Sequence, residues 1–223
     1  MTDTLTYIKK LFAASGVKNG DLEAERICDM YDSLGYIIQT DEFSLSDVTA
    51  CSGAASHIIR LTAALTSRRI TDRFKPGKRY SSDELQQYAA GLLLGLCVET
   101  VYMIMLDSQG KLISAEYMGE GTVNASGFLP RKFLDTACRY GASTVILAHN
   151  HPCGSPVPSE VDIMTTSALV PVFRSAGINL AAHYVTVGFD VCDCMKLLTM
   201  HRETEEKTCV IHVNVVKENE KGG

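Results

Sequence analysis

The stretch that most limits how this chain can fold runs from Val145 to Asp162. There a short apolar segment ends in His149-Asn150-His151 and passes into Pro152, Gly154, Pro156 and Pro158. Val145 to Ala148 are β-branched, aliphatic or small and lie between Gly141 and Pro152, which predicts a short buried strand. Side chains alternate along extended backbone, so His149 and His151 at the strand exit point to one side and both imidazoles can face one metal. The prolines and the glycine forbid regular structure and make the next segment a stiff loop. Ser159 ends that loop as an N-cap, and the pattern predicts a helix over residues 160–176 with Asp162 in its first turn. Two histidines and an aspartate thus converge from a strand end and a helix start. Three protein ligands leave one tetrahedral position for water, the arrangement of a catalytic zinc site, whereas a structural site is closed by four.

The flanking segments supply the frame. Apolar residues at helical spacing predict helices over 4–14 and 21–34, with Gly16, Gly20 and Gly35 as stops. Ser44-Leu45-Ser46-Asp47 can cap a third, which Cys51 to Ala55 breaks before a longer helix over 56–67. Residues 71–80, with Pro76-Gly77 and clustered bases, read as a linker. Ser81 and Glu84 form a capping box that opens a helix ending near Val98, with Leu85, Tyr88, Ala89, Leu92, Leu93 and Leu96 as its buried stripe. Val101 to Leu106 and Lys111 to Met118 read as two strands joined by the turn Asp107-Ser108-Gln109-Gly110. A helix over 131–140, a strand over 178–187 and a short helix over 190–198 complete the pattern. Strands and helices alternating in this way predict a mixed sheet flanked by helices.

His149-x-His151-Pro152 followed by Ser159-x-x-Asp162 resembles the zinc motif of the JAB/MPN (JAMM) metalloprotease superfamily. The fuller wording, His-Asn-His-Pro-x-Gly and then Pro-Ser-x-x-Asp, is similar to its bacterial RadC-like branch. Gly121-Thr122-Val123-Asn124, Pro130-Arg131 and His183 to Gly188 match that branch as well. The resemblance implies the JAB/MPN, cytidine-deaminase-like α/β fold, a catalytic Zn2+ on His149, His151 and Asp162, and hydrolysis of a peptide or isopeptide-type amide in a protein or peptide substrate. It makes Glu99, directly before the first strand, the general acid/base, and gives Ser159 a part in holding the tetrahedral intermediate. Cys153 stands where the branch usually has Ser, and is read as a tolerated neighbour and not a ligand. Ala182-His183 stands where the branch has Asp-His, which removes an expected supporting carboxylate. The implied organisation is a helical domain over 1–75, a RadC-like JAB/MPN domain over 76–200 and a charged tail over 201–223. Cys209 to Val216 in that tail read as an added strand. The N-terminal part is similar to a helix-hairpin-helix module, with Gly53 alone where the module has two glycines.

Composition limits the alternatives. Of 223 residues 46% are hydrophobic, enough for a sizeable core, and no apolar run reaches the roughly 18 to 20 residues of a membrane helix, so the chain is expected to be cytoplasmic and not membrane-bound. Eight irregularly spaced cysteines do not form a disulfide framework. The net charge of −5 argues against nucleic acid for the whole chain, yet residues 60–79 concentrate Arg60, Arg68, Arg69, Arg73, Lys75, Lys78 and Arg79. Weak DNA binding through that segment, as an accessory protein of repair or recombination, is the alternative function. An inactive zinc-binding interaction domain is the third. A zinc nucleobase deaminase needs His-x-Glu and Pro-Cys-x-x-Cys; here His151 and Pro152-Cys153-Gly154-Ser155 replace them.

Overall fold

The computed structural model describes residues 2–31, 33–41, 44, 45, 47, 52–121, 130–152 and 154–199. Cys153, residues 122–129 and the tail with its expected strand, together with His201 and His212, lie outside them, as does part of the expected third cap at 44–47. A five-stranded mixed sheet, in the order β2-β1-β3-β4-β5, carries helices on both faces. Its strands are β1 (Thr100–Leu106), β2 (Leu112–Glu120), β3 (Thr144–Asn150), β4 (Asn179–Val187) and β5 (Asp190–Asp193). All neighbours pair antiparallel except β3 and β4, which are parallel and are joined by a helical crossover. Among the described residues no helix is long and apolar enough to cross a membrane.

The central strand β3 has two apolar faces, as its unbroken hydrophobic run requires. On one face Val145 and Leu147 join Val101, Met103 and Met105 of β1 against Phe133 of α6 (Pro130–Arg139) and Leu169 and Phe173 of α7 (Glu160–Ser175). On the other, Ile146 and Ala148 meet Leu85, Tyr88, Ala89 and Leu93 of α5 (Ser82–Leu93). The period of two therefore hands His149 to the α7 side and Asn150 to the α5 side. Both capping boxes form: Ser81 accepts from the Glu84 amide at 3.2 Å while its own amide donates to Glu84 at 2.7 Å, and Ser159 and Asp162 repeat the exchange at 3.2 and 2.7 Å.

The N-terminal helices are α1 (Thr2–Ser15), α2 (Gly20–Met30), α3 (Leu34–Gln39) and α4 (Gly53–Thr71). They enclose Ile8, Phe12, Ile27, Ile37, Leu45 and Ile59. Buried Glu23 ties α2 to the start of α4 by accepting from the amide and hydroxyl of Ser52 at 3.2 and 2.9 Å.

Four local expectations change. Gly53 is the first residue of α4 and not part of a break, because Ser52 caps the helix by accepting from the Ala55 amide. Gly35 stops no helix but lies inside α3, where a Cβ would stand 3.2 Å from the Val187 carbonyl; it lets α3 press on the β4–β5 turn. The helix opened by Ser81 ends at Leu93 and not near Val98, since Gly95 adopts φ +79° and turns the chain away. Residues 190–193 form a strand and not the start of a helix; Gly188 at φ +58° makes a two-residue hairpin turn that pairs Val187 with Asp190, and the helix is confined to 194–199. The 72–80 segment is irregular and also anchored. Phe74 stacks on Tyr88 at 4.5 Å between ring centres, and the Gly77 amide donates to the Leu112 carbonyl at 2.8 Å.

Candidate metal centre

The three ligand candidates meet where β3 ends and α7 begins. His149 and Asp162 are buried at 0 and 2% exposure, and His151 is half-buried toward the opening. His149 Nε2 lies 3.2 Å from His151 Nε2 and 3.3 Å from Asp162 Oδ1, and His151 Nε2 lies 3.4 Å from Asp162 Oδ2. A tetrahedral zinc with bonds of about 2.0–2.1 Å keeps its ligand atoms about 3.3 Å apart; the two nitrogens already stand at that separation, and the carboxylate offers one oxygen to each of them, Oδ1 to His149 and Oδ2 to His151. This donor set fits the metal. Among the described residues it is also the one group of three such side chains whose ligand atoms converge within 4.8 Å.

Each ligand is held from behind. His151 Nδ1 donates to the Ser155 carbonyl at 2.8 Å, which leaves Nε2 facing the site and explains what the stiff loop is for. Asp162 Oδ2 accepts from the amide and the hydroxyl of Ser159 at 2.7 and 2.6 Å. The hydroxyl hydrogen of Ser159 is thus engaged by Asp162. His149 Nδ1 sits 2.9 Å from His183 Nε2, whose other nitrogen is 2.6 Å from Thr166 Oγ1. Thr166 donates in turn to the Asp162 carbonyl one helical turn back.

Electrostatics follow from this packing. Burial alone raises the Asp162 carboxyl, but hydrogen bonds with His149 and His151, the charge of His149 and the Ser159 contact overcome it and hold the group far below the usual carboxylate range. The hydrogen bond to Asp162 raises His151, against the lowering effect of burial. His183 is wholly buried and is held down to about 3 by desolvation and by His149, so it is neutral.

Glu99 lies next to this cluster, close enough for His149, Asp162 and His151 all to act on its carboxyl, and burial raises it above the ordinary glutamate value. Its position is fixed by Asn150, which the sequence reading passed over. From the α5 side, Asn150 accepts from the Thr100 amide at 2.9 Å and donates to the Leu96 and Val98 carbonyls at 2.8 and 3.2 Å. The signal was the period itself, since a residue between two ligands on a strand must serve the opposite face. Thr166 was equally findable, being four residues beyond Asp162 on one helix face. Ala182 packs with Ile146 and Ala148 on the α5 side, so no side chain at that position reaches the cluster in this structure; support comes from His183. No disulfide links Cys28, Cys97, Cys138, Cys192 and Cys194. The basic segment divides. Arg60 is half-buried and donates to the Gly95 carbonyl and Cys97 Sγ at 2.6 and 2.8 Å, whereas Arg68, Arg69, Arg73, Lys75, Lys78 and Arg79 are exposed.

Comparison with known proteins agrees with this architecture. Residues 79–196 match the family model described as the RadC-like JAB domain. A UPF0758 protein of Finegoldia magna is 39% identical over 98 residues, 44% of each chain. A UPF0758 protein of Vibrio parahaemolyticus is 30% identical over 149 residues, 64% of this chain and 66% of its own. The matched stretches thus span about half to two thirds of the length of these relatives. A more distant one from Aliivibrio fischeri, 25% identical, extends over 178 residues and 80% of its length. With the family model covering more than half of the chain and the sheet, helices and His-His-Asp cluster in place, the chain belongs to the RadC-like JAB domain family.

Proposed function

We propose that the protein is a zinc-dependent hydrolase that cleaves a peptide or isopeptide-type amide. The observation that carries this reading is the 3.2–3.4 Å spacing of the His149, His151 and Asp162 donor atoms, with a carboxyl of raised pKa beside them. Zinc, when bound, supplies an acidified water and a Lewis acid for the amide carbonyl. Glu99 takes the proton from the attacking water and returns it to the departing amine, a role suited by an acid whose pKa has moved toward neutrality. Ser159 steadies the developing oxyanion by turning its hydroxyl from Asp162 to the substrate, while its amide keeps the carboxylate in place. Val98 beside Glu99 and Val157 two residues before Ser159 are 52 and 62% exposed, apolar side chains that a peptide substrate could cover. The test is a panel of peptide and isopeptide amides offered to the zinc-loaded protein. Hydrolysis that stops with a chelator and returns with zinc supports the reading, and inertness of fully loaded protein toward the whole panel contradicts it.

A second reading, DNA binding, has one observation behind it. The six exposed bases lie along the end of α4 and the segment that follows.

A further inference from the structure

Of the candidates outside the three ligands, the polar chain behind His149 carries furthest. Its members are buried: His149, Thr166 and His183 are each 0% exposed. Thr166 Oγ1 and the Asp162 carbonyl oxygen are 2.5 Å apart, and two oxygens this close must share a hydrogen, which only the hydroxyl can supply. The hydroxyl proton therefore points at Asp162. Its oxygen is left as an acceptor toward His183 Nδ1 at 2.6 Å, so His183 carries its hydrogen on Nδ1. His183 Nε2 is then bare and can only accept, and the group facing it at 2.9 Å is His149 Nδ1, which must bring the hydrogen. In its neutral form His149 then has a bare Nε2, directed into the cluster, and the hydrogen bond from that nitrogen to Asp162 exists only while a second proton sits on it. The neighbouring Cys194 thiol also reaches Thr166, but sulfur is a weak acceptor and does not displace a backbone carbonyl.

We infer that His183 and Thr166 are positioning residues which, through this ordered chain, lock His149 into the Nδ1–H tautomer and so present its Nε2 as a ready metal ligand. The chain begins on the carbonyl of Asp162 and ends on the imidazole of His149, so one ligand's backbone sets the protonation of another. Reversing every hydrogen gives the opposite state, in which His149 Nε2 donates to Asp162 and cannot bind metal. The threonine hydroxyl decides between the two.

The inference rests on the proposed metal site, and its test separates the two. Thr166→Val keeps the shape and removes the hydroxyl, and Thr166→Ser keeps the hydroxyl. Long-range nitrogen–proton NMR of the imidazoles in metal-free protein reads the tautomer, and chelator competition reads zinc affinity. The expected results are an Nδ1–H pattern for His149 in the parent and in Thr166→Ser, loss of that pattern in Thr166→Val, and zinc affinity about 10- to 100-fold weaker in Thr166→Val, the usual cost of removing an outer partner of a metal ligand. An Nε2–H pattern in the parent, or Thr166→Val binding zinc as tightly as the parent, overturns the relay and leaves the metal site standing. A parent chain that binds no zinc overturns both.

Discussion

At the scale of single residues, the site turns on where protons are held. His151 is raised by its hydrogen bond to Asp162, and the proton on Nε2 must leave before a metal can be bound. The sign is definite. In the metal-free protein this raised group contributes stability that is fully present below the ordinary value of 6.5 and is lost as pH rises through the elevated folded value. Zinc binding runs the other way, tightening as that proton is lost. Chelator competition should show affinity falling about tenfold per pH unit on the acid side of the His151 transition, and a flat profile between about pH 5 and about pH 8 would contradict it. Glu99→Gln keeps the shape but cannot take a proton, so it should retain zinc and melting temperature and lose at least about a hundredfold in turnover. Retention of the parent rate would remove Glu99 from the mechanism. His149, His151 and Asp162 were legible from spacing because the ligands sit close in sequence to the turn that joins them. The strand period puts Asn150 on the opposite face, but its partners and that of His183 were not legible, since they lie up to 54 and 34 residues away in the chain.

At the scale of elements, β3 and the segment before β1 form one device. Asn150 stands between the two histidines yet spends its hydrogen bonds on residues 96–100, so the strand that carries the candidate metal ligands also holds the segment that bears Glu99. Asn150→Ala leaves the buried Thr100 amide without its partner and frees two part-buried carbonyls, a cost of about 1–3 kcal/mol. Thermal unfolding should report that loss. Zinc binding should survive at a given temperature below the transition, because neither imidazole is touched, while turnover falls; a variant as active and as stable as the parent would show that the clamp is idle. Elements with local signals were legible, among them both capping boxes and the Asp107–Gly110 turn, where Asp107 Oδ1 accepts from the Gln109 and Lys111 amides at 2.8 Å. The strand at 190–193 is masked in the sequence because Asp190 to Leu198 also fits a helical pattern, although Val187-Gly188-Phe189-Asp190 carries the two-residue hairpin turn.

At the scale of the whole molecule, the sheet order explains why the site sits where it does. β3 lies in the middle with β1 and β4 on either side, so Glu99 at the entrance of β1 and His183 on β4 flank His149 from neighbouring strands. Alternation of elements in the sequence foretold a mixed sheet, but not its order, because pairing joins residues far apart in the chain. The exposed bases of residues 68–79 belong to this scale too. Arg68 is already paired with Asp72 at 2.9 Å and the net charge is −5, so duplex DNA should bind no tighter than roughly micromolar at physiological salt and should weaken as salt rises. Tight binding abolished by Arg68→Glu with Arg69→Glu would instead make nucleic acid the partner.

The central claim is a catalytic metal held by two imidazoles and a carboxylate, and X-ray absorption at the zinc edge, on protein purified without chelator and assayed for metal content, tests it most directly. The account predicts about one zinc per chain with only nitrogen and oxygen neighbours at about 2.0–2.1 Å. Protein free of zinc, or a sulfur shell at about 2.3 Å that would bring a cysteine such as Cys153 into the site, would contradict it.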